Sequence, residues 1–265
     1  MTDGQNFRAD RYLAIQTERR GPLYSIVLNK PPLNIIDIGM MKDIHAALQN
    51  AESDRDVSVV VFRGAGEKGF SAGVSIQDHT PEKITEMIPL FHSSFRLLAK
   101  TEKVTVAAIH GVCLGGGLEL ASLCDLVVAT EDAQFGQPEI KLGQFPPVAV
   151  ILLPWLIGYR KAAELILTGA SIGAREAQSL GLVNRVVPAP QLSQCLDGLL
   201  GELTSQSRST LRLTKRILSR LSGLDFDRAL DESERFFLST LAPTDDAKEG
   251  VASFLQKRPP QWRHR

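Results

Sequence analysis

A six-residue run that is apolar but for Thr105, VTVAAI at 104–109, is followed by HGVCLGGG and then by LELASLC. The first block is β-branched and of strand length, so it predicts a buried strand. His110 and Gly111 break it, and Gly115, Gly116 and Gly117 open a segment whose Leu118, Leu120, Ala121 and Leu123 form a helical apolar face. Upstream, 12–19 and 24–29 predict two strands joined at Arg20-Gly21-Pro22, and Lys30-Pro31-Pro32 ends that pairing. The periodicity then predicts a helix over 39–51, a strand over 57–62, extended chain over 70–74 and a helix over 82–100 that Pro89 kinks or breaks. Downstream come a strand over 126–129, a loop with short extended pieces over 134–143, helices over 147–158, 161–167 and 174–180, and a strand over 183–187. From Gln191 the pattern is helical, through 203 and then over 209–221, 225–241 and 244–256. Strands alternating with helices predict an α/β core over 1–190, with a helical region over 191–265 attached to it.

Composition narrows the function classes. Across 265 residues, 30 Lys and Arg balance 30 Asp and Glu, so net charge gives no support to nucleic-acid or membrane-surface binding. No run approaches the ~20 apolar residues that span a bilayer. The first ten residues, MTDGQNFRAD, are polar and predict no secretory leader. Cys113, Cys124 and Cys195 have no metal-ligand spacing, which fits reduced thiols in a cytoplasmic protein.

The glycine run has two readings. Three adjacent glycines suit a tight turn or a close approach, either of a packed neighbour or of a ligand. A helix start also presents unpaired N–H groups that favour negative charge. Glu119 sits in that first turn, where a carboxylate tends to stay ionised. The spacing is not GxGxxG, so no dinucleotide site is implied. A second carboxylate, Glu139, follows Pro138 in QFGQPEIKLG. The five histidines do not cluster with carboxylates at metal spacing, and His110 reads as structural. Ser71 and Ser75 have no base positioned by the sequence. Arg208, Arg212, Lys215, Arg216 and Arg220 form a basic helix face, of the kind usually solvated or paired with carboxylates.

Five segments in order, FSAGVSI, HGVCLGGGLELASLCDLVVAT, AQFGQPEIKLG, ILTGASIGAREAQSLGLVNRVVP and TDDAKEGVASFLQKR, resemble the crotonase (enoyl-CoA hydratase/isomerase) superfamily. The resemblance runs from about residue 12 to 258. It implies a spiral of β–β–α units with a helical C-terminal trimerisation region, as a homotrimer or a dimer of trimers. It also implies an acyl-CoA substrate and no separate cofactor, since coenzyme A is part of the thioester. By the same resemblance, the N–H groups of Val74 and Gly116 are the oxyanion-hole donors, and Glu119 and Glu139 the catalytic pair. The backbone around Ala72, Val74 and Ile76 would hold the CoA adenine. Phe254 and Lys257 would approach the CoA of a neighbouring subunit. Hydration of an enoyl thioester needs this equipment: donors where charge develops on oxygen, one carboxylate to deprotonate water and one carboxyl to protonate carbon.

The departures from the family concern the acyl group. Ser75 stands where an aspartate is common. QFPPVAVILLP at 144–154 replaces a glycine-rich GxGGTQRL-like stretch, and KPPLNIIDI at 30–38 departs from RPxxxNAL. Together they resemble the hydratases of cyclic dienoyl-CoA thioesters, such as cyclohexa-1,5-diene-1-carbonyl-CoA, in aromatic acid degradation. A ring would then pack against Ile35, Pro147, Val148 and Ile151. A general short-chain enoyl-CoA hydratase, an isomerase or hydrolase on the same oxyanion hole, and an RNA-binding relative are the other readings. The two glutamates favour hydration.

Overall fold

The computed structural model describes residues 12–221 and 223–265, so the polar stretch that predicts no leader lies outside the described residues. A hairpin opens the fold, with β1 (Ile15–Arg20) antiparallel to β2 (Leu23–Leu28). Then come α1 (Ile38–Ser53), β3 (Val59–Gly64), β4 (Gly69–Ser71), α2 (Ile84–Lys100), β5 (Val104–Ile109), β6 (Val112–Leu114) and α3 (Gly116–Ser122). Next are β7 (Leu126–Thr130), β8 (Gln134–Gly136), α4 (Ala149–Ile157), α5 (Tyr159–Thr168), β9 (Ser171–Gly173), α6 (Ala174–Ser179) and β10 (Arg185–Val187). Four helices complete the chain: α7 (Leu192–Thr204), α8 (Arg208–Leu221), α9 (Phe226–Phe236) and α10 (Asp245–Leu255).

Two sheets share this chain. The larger is ordered β1-β2-β3-β5-β7-β10 and the smaller β4-β6-β8-β9. From β2 to β10 the larger sheet is parallel, and β4, β6 and β8 are parallel in the smaller one. Each successive turn therefore lays one long strand in the first sheet and one short strand in the second: β3 then β4, β5 then β6, β7 then β8. This is the expected spiral.

The side-chain period of two explains why the long strands read as unbroken apolar runs. Val60, Phe62, Ala107, Ile109, Val127 and Ala129 point into the main core, which α1, α2 and α3 also enter. Val59, Val61, Val104, Val106, Ala108 and Val128 face the other way, onto Leu196, Leu199 and Leu200 of α7. Both faces are covered, so both must be apolar.

The C-terminal helices differ little from expectation. The segment predicted helical over 225–241 is α9 followed by a wider π-type turn, Phe237–Leu241. Pro89 lies inside α2, which continues past it. The basic face of α8 is paired: Lys215 Nζ lies 2.7 Å from Asp125, Arg216 2.5 Å from Glu102, and Arg220 2.5 Å from Glu232. No helix among the described residues is long and apolar enough to cross a membrane.

Candidate active site

The loop after β2 and the one after β4 bind each other first. The fully buried Asn34 donates from Nδ2 to the carbonyls of Ala65 and Gly69, at 2.8 and 2.9 Å. Ser71 Oγ donates to the Asn34 carbonyl, and the Ala72 amide donates to Leu33. Ser71 is thus a buried brace. Gly73 and Ser75 then bond Ile36 on either side of Val74, leaving the Val74 amide outside that ladder.

Against this segment comes the glycine turn. Gly115 adopts φ +51°, and its amide donates to Gly136 at the end of β8. A Cβ on Gly115 would lie 2.7 Å from Glu139 Oε1, and one on Gly116 would lie 2.6 Å from Val74 Cγ2. A side chain at either position would collide with a residue of the site. Gly117 faces Ser71 in the same way, so it serves packing alone. All three glycines therefore admit a packed neighbour, and for Gly115 and Gly116 that neighbour belongs to the cavity wall. Among the described residues, neither the Val74 nor the Gly116 amide donates to a protein acceptor.

Six of the eight residues named from the sequence line one cavity of about 510 Å³: Ala72, Val74, Ile76, Gly116, Glu119 and Glu139. Ile35, Met87, Phe91, Phe145 and Pro147 supply apolar wall, and Lys30, His79 and His92 polar wall. Phe254 and Lys257 do not line it; Phe254 is 84% exposed on α10. The expected acyl wall needs correcting. Ile35 and Pro147 line the cavity, but Val148 turns its side chain to the core and Ile151 is 54% exposed. The start of α4 separates Pro147 from Ile151, so the two residues face different surroundings.

The two carboxyls have different partners. Glu119, 3% exposed, accepts the Val148 and Ala149 amides on Oε1 at 2.8 and 2.9 Å. It thereby caps α4, whose first N–H groups would otherwise lack acceptors. Burial pushes its pKa up, against the pull of those two donors. Burial also raises Glu139, to about 7, with the charge of Glu119 adding to the rise. Gln137, fully buried, donates from its amide nitrogen to both Glu139 oxygens at 3.1 Å when oriented toward them. Sequence reasoning did not single out Gln137, although its place two residues before Glu139 was a usable signal. It also missed the Val148 and Ala149 amides, because backbone donors leave no mark in composition.

The Enoyl-CoA hydratase/isomerase family description matches residues 18–265. The chain belongs to that family. Among its relatives is the short-chain-enoyl-CoA hydratase of Clostridium acetobutylicum, 34% identical over 91% of this chain and 94% of that protein. Another is the cyclohexa-1,5-dienecarbonyl-CoA hydratase of Thauera aromatica, 33% identical over 96% of this chain and 97% of that protein. The crystal structure of an enoyl-CoA hydratase from Bacillus anthracis superposes with a TM-score of 0.90 at 28% identity, covering 96% of this chain and all of that one. The family's fold is therefore this chain's fold, over nearly its whole length.

Proposed function

We propose that the protein is an enoyl-CoA hydratase, with Glu119 as general base and Glu139 as general acid. The observation that carries this reading is the meeting of two buried carboxyls and two unpartnered amides around one cavity. With the thioester carbonyl between the Val74 and Gly116 amides, Glu119 takes a proton from water and the water oxygen bonds to C3. The double-bond electrons move toward the thioester and leave an enolate oxygen on the two N–H donors. The enolate then takes the proton of Glu139 onto C2, giving a 3-hydroxyacyl thioester. A proton passing from Glu119 to Glu139 through solvent restores the starting state. Donors aimed at that oxygen act where charge develops, and losing one typically costs about 2.7–4 kcal/mol of barrier. Gln137 holds Glu139 in place, and α4 holds Glu119.

For the acyl group we propose a cyclic dienoyl thioester, on the strength of Ile35 and Pro147 in the cavity wall. A proline ring fills volume that glycine would leave open. General short-chain hydration rests on the same catalytic groups, and relatives of both kinds are similar to this chain. The test is a comparison of kcat/KM for cyclohexa-1,5-diene-1-carbonyl-CoA and crotonyl-CoA, followed at the thioester chromophore. We expect the cyclic ester to lead. A preference for crotonyl-CoA leaves the hydratase and removes the ring, whereas turnover of neither removes the hydratase. The adenine of CoA would lie along Ala72, Val74 and Ile76. Phe254 and Lys257 would reach the CoA of a neighbouring subunit in a homotrimer or a pair of trimers. Three free thiols fit a cytoplasmic location.

A further inference from the structure

The segment that carries Val74 runs on into a single 3-10 turn, Ile76–Asp78. Two backbone bonds close it, from the Asp78 amide to Ser75 and from the His79 amide to Ile76. One such turn has little stability of its own. Apolar burial does not hold it either: Ile76 is 65% exposed, and the buried residue of the turn is Asp78. A carboxylate is costly to bury unless its oxygens are occupied. Here both are. Oδ2 accepts the Ile38 amide at 3.1 Å, and Oδ1 accepts the Lys83 ammonium at 2.9 Å.

Each partner stands at the start of a helix. Ile38 is the first residue of α1, and its amide is one that a helix start leaves without an intrahelical acceptor. Asp37 takes the Met40 amide, so the two aspartates divide the capping of α1 between them. The charges balance, with Asp37 paired to Lys30 and Asp78 to Lys83. Lys83 directly precedes α2, which contributes Met87 and Phe91 to the cavity wall. Ser75, Ile76, Gln77 and His79 line the cavity, whereas Asp78 does not. Its carboxylate therefore acts from behind the wall, tying the turn to the starts of α1 and α2.

The bonds divide this segment in two. Up to Ser75 it is held by the ladder with Ile36, which fixes the Val74 amide without help from Asp78. Past Ser75 the side-chain holds are the Asp78 carboxylate and the His79 ring, whose Nδ1 lies 2.8 Å from the Ser75 carbonyl. Losing Asp78 should thus loosen the turn and leave the oxyanion donor in place.

We propose that Asp78 is a positioning residue for the nucleotide end of the substrate. It holds residues 76–79 in the arrangement that receives the adenine of CoA. This rests on the reading of the cavity as a CoA-thioester site.

The experiment compares crotonyl-CoA with crotonyl-pantetheine, a thioester without the nucleotide, in wild type, Asp78→Ala, Asp78→Asn and Lys83→Met. Asp78→Ala should raise KM for crotonyl-CoA about tenfold at nearly unchanged kcat, as when about a tenth of the molecules hold the turn ready to bind. On crotonyl-pantetheine its kcat/KM should match wild type. Asp78→Asn keeps an oxygen for the Ile38 amide, and Lys83→Met leaves that bond intact, so both should raise KM for crotonyl-CoA by less than Asp78→Ala. If Asp78→Ala does not fold, Asp78→Asn is judged by the same comparison. Equal losses on the two thioesters overturn the proposal, because a merely structural role moves both. An unchanged KM for crotonyl-CoA in a folded Asp78 variant also overturns it. Calorimetric titration with CoA alone reads the same contact without turnover, and CoA should bind the Asp78 variants more weakly than wild type. A wild type that binds CoA but hydrates neither thioester removes the hydratase; CoA affinity unaltered in both Asp78 variants removes the role of Asp78.

Discussion

Glu119 and Glu139 share a cavity but not an environment, and the difference sets what each can do. The amides of Val148 and Ala149 stabilise the anion of Glu119, whereas Glu139 receives side-chain donation from Gln137 and the field of a neighbouring charge. Glu119→Gln keeps an oxygen for the two amides, and in Glu139→Gln the Gln137 amide can turn to accept. Both variants should therefore fold, bind CoA esters and lose turnover by roughly 10²–10⁴-fold. The two losses should not add, since both groups act in one addition reaction. Steady-state kinetics that retain more than about a tenth of wild-type turnover in either variant remove that residue from the mechanism. The acid must begin protonated, and its pKa is about 7, so kcat/KM should fall as pH rises through 7. The same shift has a stability sign. The folded state holds the Glu139 proton up to about pH 7 while the unfolded chain releases it near its ordinary value of 4.5. Stability from this group is therefore full below 4.5 and is lost as pH rises toward 7. Urea midpoints should show Glu139→Gln more stable than wild type at pH 8, with the gain disappearing below pH 4.5; equal stability at pH 8 would contradict the raised pKa. At this scale the sequence was legible where a side chain carries the chemistry, as with both glutamates. It was silent on the Val148 and Ala149 amides, and it reached those of Val74 and Gly116 only through resemblance to a family.

Elements were legible in proportion to their length and to how many faces they bury. β3, β5 and β7 are apolar on both faces because the core and α7 cover them, so their runs stood out. β6 and β9 went unpredicted: three residues cannot display a period, and their pairing is with neighbouring turns of the spiral. Helix α4 was expected from residue 147 and begins at Ala149, because Glu119 takes the amides that open it. That junction separates two substitutions that look alike in sequence. Pro147→Gly opens the cavity wall and should narrow any preference for a cyclic over a linear substrate, by up to about 1–3 kcal/mol in relative barrier. Val148→Gly removes a side chain that packs on the core beside Glu119. It should lower stability by about 1–3 kcal/mol without a specific effect on ring selectivity. Equal selectivity changes in the two variants, measured as the ratio of kcat/KM values, would place the acyl group elsewhere.

At the scale of the molecule, the helical region exposes several large apolar side chains. Phe226 is 77% exposed, Leu238 62%, Val251 63% and Leu255 74%, while Phe236 is buried within the chain. Exposed apolar side chains in such number suit a surface on which another chain docks, the proposal made above. Sedimentation at micromolar concentration should give a trimer or a pair of trimers, and a stable monomer would contradict that. A sharper test lies at the end of α10. Lys257 adopts φ +54°, a left-handed conformation in which its amide bonds Phe254 and the Arg258 amide bonds Ser253. Glycine is the usual residue at such a helix end, and a side chain there costs about 1–2 kcal/mol. The proposed contact of Lys257 with the CoA of a neighbouring subunit would account for a lysine at this position. Lys257→Gly should then hold or raise stability while increasing KM for acyl-CoA severalfold, with kcat near wild type. If KM does not move, Lys257 only ends a helix. If kcat falls with KM unchanged, α10 acts on the chemistry by another route.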